Sequence, residues 1–90
     1  MRAKVMGFEV GKSYLVRCVT NFYTGRLIDA SERELVLEDA AWIADTGRFA
    51  DALKNGTLNE VEPYPDQVII NRGAMVDAAL WDHPLPRQQK

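Results

Sequence analysis

From Lys12 to Val19 the side chains alternate with a period of two, Tyr14, Val16 and Cys18 on one face and Leu15, Arg17 and Val19 on the other, so this segment reads as a strand. Both faces are partly apolar. That predicts a thin barrel whose outside is covered by a helix, a loop or another subunit. Thr20-Asn21 is the expected hairpin turn, because Asn tolerates left-handed backbone. Phe22 to Ala30 reads as the second strand, with Gly25 placed where the chain can bend sharply because no side chain collides. The polar knot Ser31-Glu32-Arg33 then reverses the chain, and Glu34 to Trp42 reads as the third strand around the apolar Leu35-Val36-Leu37.

The period changes after Asp45. Phe49, Ala52 and Leu53 recur at i, i+3 and i+4, Asp45 or Thr46 can cap, and Asn55-Gly56 is a stop signal, which predicts a helix of about two turns. A helix this short needs tertiary packing, so Phe49 and Leu53 are expected to dock on the sheet beside Trp42. Pro63 and Pro65 mark an exposed connection, Gln67 to Asn71 a short fourth strand and Arg72-Gly73 a tight corner. In the fifth strand Ala74, Val76, Ala78 and Leu80 alternate with Met75, Asp77, Ala79 and Trp81, and Leu37 and Val76 are expected core positions. Residues 1–11 show little periodicity and read as an N-terminal arm or a short helical turn. Residues 82–90 read as an extended C-terminal tail over the surface, since Pro84 and Pro86 each remove a ladder donor.

Ninety residues make a single domain, 1–90, because two halves would each be too small to bury a core. An apolar content of 47% with 27% charged residues is that of a globular chain with a packed core. The lone Cys18 cannot form an internal disulfide, and no apolar run approaches the roughly 20 residues of a membrane span. The basic N-terminus lacks the apolar stretch of a secretory signal, so a cytoplasmic protein without a membrane partner is expected. The net charge of −2 is unevenly spread. Residues 1–28 carry five basic side chains against Glu9 alone, whereas residues 29–66 carry ten acids against Arg33, Arg48 and Lys54. Any nucleic acid would therefore have to be held by a local basic patch.

Five strands in sequence, the second bent at a glycine, predict a mainly β chain folded as a small, strongly bent barrel with a short helix inserted between strands three and four. Gly25-Arg26-Leu27 followed by Leu35-Val36-Leu37-Glu38-Asp39-Ala40 resembles the first motif of the Sm-like family, the small SH3-like barrels that include Sm, LSm and Hfq proteins. Ile70-Asn71-Arg72-Gly73-Ala74-Met75-Val76 resembles the second motif of that family, and Val10-Gly11-Lys12 suits its first strand. The resemblance implies a homo-oligomeric ring that binds single-stranded RNA at its pore, with Arg33, Arg72 and Gly73 as the nucleic-acid-binding residues. Two departures stand beside it. The loop Ser31-Glu32-Arg33-Glu34 lacks the base-reading Asn of the family, and Asn71 stands where the family has an apolar residue. They keep open an alternative, a structural or protein-interaction module with the same fold that has lost RNA reading.

Edge strands need cover or a partner, and the expected fourth strand carries no charge or proline to blunt it. Head-to-tail pairing of strand four with strand five of a neighbour would close a ring and bury Val68, Ile70, Val76 and Leu80. No enzyme is expected. Cys18 alternates with core residues, His83 has no second ligand at metal spacing, and the six glycines are scattered rather than gathered into a phosphate cradle. Glu38, Asp39 and Asp45 could gather around a cation, but a solvated rim is the simpler reading. No cofactor is implied.

Overall fold

A computed structural model of the chain describes residues 4–5 and 7–90. A small ladder joins β1 (Lys4–Val5) to β2 (Phe8–Glu9), within the stretch expected to be an arm or helical turn; residues 1–3 and 6 of that stretch lie outside the described residues. There follow β3 (Ser13–Cys18), β4 (Phe22–Ala30), β5 (Glu34–Asp45), α1 (Phe49–Asn55), β6 (Glu60–Pro63), β7 (Val68–Asn71), a 3-10 turn (Arg72–Ala74) and β8 (Met75–Leu80). The main sheet is antiparallel, in the order β6-β5-β4-β3-β8, and β7 also pairs with β5. β7 and β8 do not pair with each other among the described residues, so the sheet is bent but stays open where a closed barrel was expected. No helix of the described residues is long and apolar enough to cross a membrane.

The bend is built at Gly25. Thr24 pairs with Ala41 and Arg26 with Glu38, which leaves Asp39 and Ala40 together opposite Gly25 as a bulge, with Asp39 in the left-handed region at φ 49°. A Cβ on Gly25 would stand 2.9 Å from Leu37 Cβ and 3.2 Å from Ala40 Cβ, so only glycine admits this crossing. Beyond the bulge β5 changes partner. Its first residues, Glu34 to Leu37, pair with β7, and its last, Ala41 to Asp45, pair with β6.

Each face of the sheet carries a core. Tyr14, Val16, Leu27, Leu35 and Leu37 pack on the inner face with Val68 and Ile70 of β7. On the other face Leu15, Ala41 and Ile43 are covered by Ala52 of α1, Leu58, Val61 and Trp81, which accounts for the two apolar faces of β3. Gly56 closes α1 in the left-handed conformation (φ 74°), as its sequence predicts, its N–H donating to the Ala52 carbonyl. The N-terminal cap differs from expectation: Arg48 holds that position without a side-chain bond, while Asp45 Oδ1 accepts from Gly47 N–H (2.8 Å) and turns the chain ahead of the helix.

Four further expectations are corrected. The hairpin reverses through Val19-Thr20, one residue early, because Cys18 N–H donates to the Asn21 carbonyl at 2.8 Å. Val76 is 57% exposed rather than core: Arg17 pairs with Asp77 and Cys18 with Met75, so Val76 is the extra residue of a bulge and is turned out of the inner face. Trp81, not Trp42, is the buried indole beneath α1. The tail is bonded rather than merely extended. Lys90 N–H donates to the Val61 carbonyl (2.9 Å), Val61 N–H donates back to Lys90 (3.2 Å), and the outer edge of β6, a strand not foreseen from the sequence, is thereby paired.

Candidate functional site

The loops after β4 and β7, which contribute Arg33 and Arg72-Gly73, meet. Ser31 drives the first turn, its hydroxyl accepting from the Arg33 and Glu34 N–H groups at 3.2 Å each while its own N–H donates to the Glu34 carbonyl. Asn71 drives the second, Oδ1 accepting from Gly73 N–H at 2.8 Å to start the 3-10 turn. Arg72 then clasps the two: its N–H donates to the Arg33 carbonyl (2.8 Å), its Nη1 donates to the Ser31 carbonyl (2.7 Å), and its guanidinium carbon sits 5.2 Å from the Phe8 ring centroid. A cleft of about 540 Å³ lies here, lined by Glu32, Arg33, Glu34, Ile69, Asn71 and Gly73.

This geometry divides the predicted residues by role. Arg72 is largely committed to holding loop to loop, and Gly73 supplies the backbone donor that Asn71 caps. Arg33 is exposed and its guanidinium has no partner among the described residues, so it is the free cation of the cleft. Glu32 and Glu34 line the same cleft, and their charges oppose those of Arg33 and Arg72. The part played by Asn71 was legible only as a departure from a motif, and that of Phe8 was not foreseen.

A second polar and aromatic cluster lies further along β5. Trp42 has Tyr23 of β4 as its cross-strand partner on one side and Glu62 of β6 on the other. Tyr64 donates its N–H to the Ala40 carbonyl (2.8 Å) and stacks on Tyr23 with ring centroids 6.3 Å apart. Burial pushes the Tyr64 phenol up, with the neighbouring Tyr23 phenol adding to the effect. Gln89 of the tail donates its side-chain amide to both Glu62 carboxylate oxygens (2.9 and 3.2 Å).

The residues weighed for catalysis and metal binding are placed apart or otherwise engaged. Cys18 is buried in the inner core, where desolvation pushes its thiol up, away from the reactive thiolate. His83 lies against Trp81 on the other face; its Nε2 is 2.8 Å from the Leu53 carbonyl, which can only accept, so this nitrogen carries the proton. Glu38 and Asp39 are both taken by Arg26, and Asp39 also by Arg87 of the tail (3.2 Å). Asp45 is occupied by the Gly47 turn. Among the described residues no group of three His, Cys, Asp or Glu side chains gathers as a metal site.

In comparisons with known proteins, no family model, no curated protein and no solved structure matches the chain.

Proposed function

We propose that this chain is a self-assembling protein-interaction module built on an Sm-like, strongly bent open sheet, its copies joined edge to edge in a ring. The observation that supports it is the unequal treatment of sheet edges. β6 is covered by the chain's own tail, whereas β7 and β8 keep an edge unpaired among the described residues and expose Ile69 (63%), Val76 (57%) and Leu80 (52%). An antiparallel pairing of β7 with β8 of the next copy is heterologous and closes into a ring when the rotation allows. It would cover all three side chains. The test is light scattering with native mass spectrometry at micromolar concentration: discrete multiples of the 10.2 kDa subunit are expected, and a monomer alone would sink the proposal.

Single-stranded RNA is the second reading, favoured by the convergence of the Arg33 and Arg72 loops and by the guanidinium of Arg33, which has no partner among the described residues. Glu32 and Glu34 weigh against it, because they offset the field a phosphate would feel. Fluorescence anisotropy with oligo-U and oligo-A at low salt decides. If RNA binds in the cleft, Arg33→Ala weakens binding to both without altering the fold. Absence of binding by the wild-type protein leaves assembly as the function.

A further inference from the structure

Trp42, Tyr23, Tyr64 and Glu62 form a cluster that neither core uses fully. Residues directly opposite on antiparallel strands hold their Cβ atoms about 4.5–5.5 Å apart, so Trp42 stands between Tyr23 and Glu62. Tyr64, two residues beyond Glu62, returns to the same face and stacks on Tyr23. Trp42 is 36% and Tyr64 38% exposed. The Trp42 ring makes no ring contact, and its indole N–H no hydrogen bond, among the described residues.

The electrostatics of this face are one-sided. Aromatic faces present negative charge to a ligand, and Glu62 adds a full one whose partner, the Gln89 amide, is neutral. Glu60 is exposed two residues earlier on β6, hence on the same face, and has no ion pair among the described residues. No Lys or Arg of the described residues lies over any of the three rings; the cationic side chain found over an aromatic ring is Arg72, on Phe8. Among the described residues this face thus gathers three rings, Glu60 and Glu62 with no ion pair or cation over a ring.

We infer that this face binds a cationic side chain of a partner protein, an alkylammonium group such as an N-methylated lysine, seated over Trp42 and bordered by Tyr23, Tyr64 and Glu62. The charge complementarity is local and regional, since residues 29–66 carry ten acids against three bases. N-methylation suits the rings because it keeps the charge while lowering the hydration that must be shed. A nucleobase could also stack on an exposed indole, but its phosphates would then meet Glu60 and Glu62. The inference is independent of ring assembly and of the Arg33 cleft.

The test is a nuclear magnetic resonance titration of the isotope-labelled full chain, following the Trp42 indole N–H. Trp42→Phe assigns that signal against Trp81. The probes are N-acetyl-trimethyllysine amide, its neutral isostere with carbon in place of the ammonium nitrogen, and oligo-U. The expected result is a saturable shift with the ammonium probe, at least about tenfold weaker with the isostere, equivalent to about 1.4 kcal/mol of charge recognition. Glu62→Gln, which keeps the shape and one of the two acceptors for the Gln89 amide, should weaken ammonium binding about threefold or more with the other amide signals in place. Equal binding of the isostere, preferential shift by oligo-U, or no shift with the ammonium probe would each overturn the inference.

Discussion

β6 and β7 both pair with the same side of β5, yet the molecule treats their outer edges in opposite ways. β6 is met by Lys90 through two backbone hydrogen bonds, and Gln89 and Arg87 add side-chain contacts to Glu62 and Asp39. The outer edge of β7 has no strand partner among the described residues, and Ile69 is exposed there. An unpaired edge in a small chain invites association, and here one edge is closed at the expense of ordering a proline-bearing tail. The contrast shows that the tail's backbone hydrogen bonds go to β6 and not to β7, and the assembly proposed above uses the edge that the tail leaves uncovered.

The largest effect on this comparison comes from the strand both edges share. Leu37 pairs with Val68 of β7, packs against Gly25 at the bend and is fully buried, so Leu37→Ala should cost about 2–5 kcal/mol and lower the denaturant midpoint sharply. Val76→Ala, at an exposed bulge, should stay within about 0.5 kcal/mol. Equal losses would mean that the β3–β8 register is misread. Ile69→Lys acts on the exposed β7 edge and not on the core: it should abolish the higher-mass species expected in light scattering while leaving the thermal midpoint of the monomer nearly unchanged.

Lys90→Pro acts on the covered edge. It removes the donor to the Val61 carbonyl and should cost about 1 kcal/mol, while hydrogen exchange at the Val61 amide quickens and the freed β6 edge brings concentration-dependent association. A variant with unchanged exchange would show that the tail does not staple that edge. The smallest effect is alkaline. The folded chain holds the Tyr64 proton above the unfolded value near 10.0, so this contribution to stability is complete below that pH and is lost as pH climbs through the folded-state value. Tyr64→Phe should flatten the decline, read by denaturation at a series of alkaline pH values.

Much of the fold was legible because its causes are local. The glycine at position 25, the Ser31 turn and the Gly56 stop each act within a few residues, and each is found where the pattern puts it. β6 was missed because Glu60-Val61-Glu62-Pro63 carries a single strongly apolar side chain, too little for a period to show. Its strand character comes from Ile43 and Trp42 on one side and Lys90 on the other. At the candidate site the convergence of the Arg33 and Arg72 loops was foreseen through the motif resemblance, but the clasping role of Arg72 was not, because Ser31 lies 41 residues away. The aromatic face around Trp42 gave no signal either: Tyr23, Trp42, Glu62 and Tyr64 come from three separate segments and share no spacing.

What the sequence by itself determined is the β-rich class, the bend at Gly25, the short helix and the polar turns, since side-chain period, glycine freedom and capping chemistry operate within a few residues of chain. What only the tertiary structure decided is which strand edges are closed and which charges are left free. Those outcomes depend on register between distant strands, where one bulge turned Val76 out to solvent, and on where the tail comes to rest. No local pattern carries that information, because it arises only when segments dozens of residues apart compete for the same hydrogen bonds.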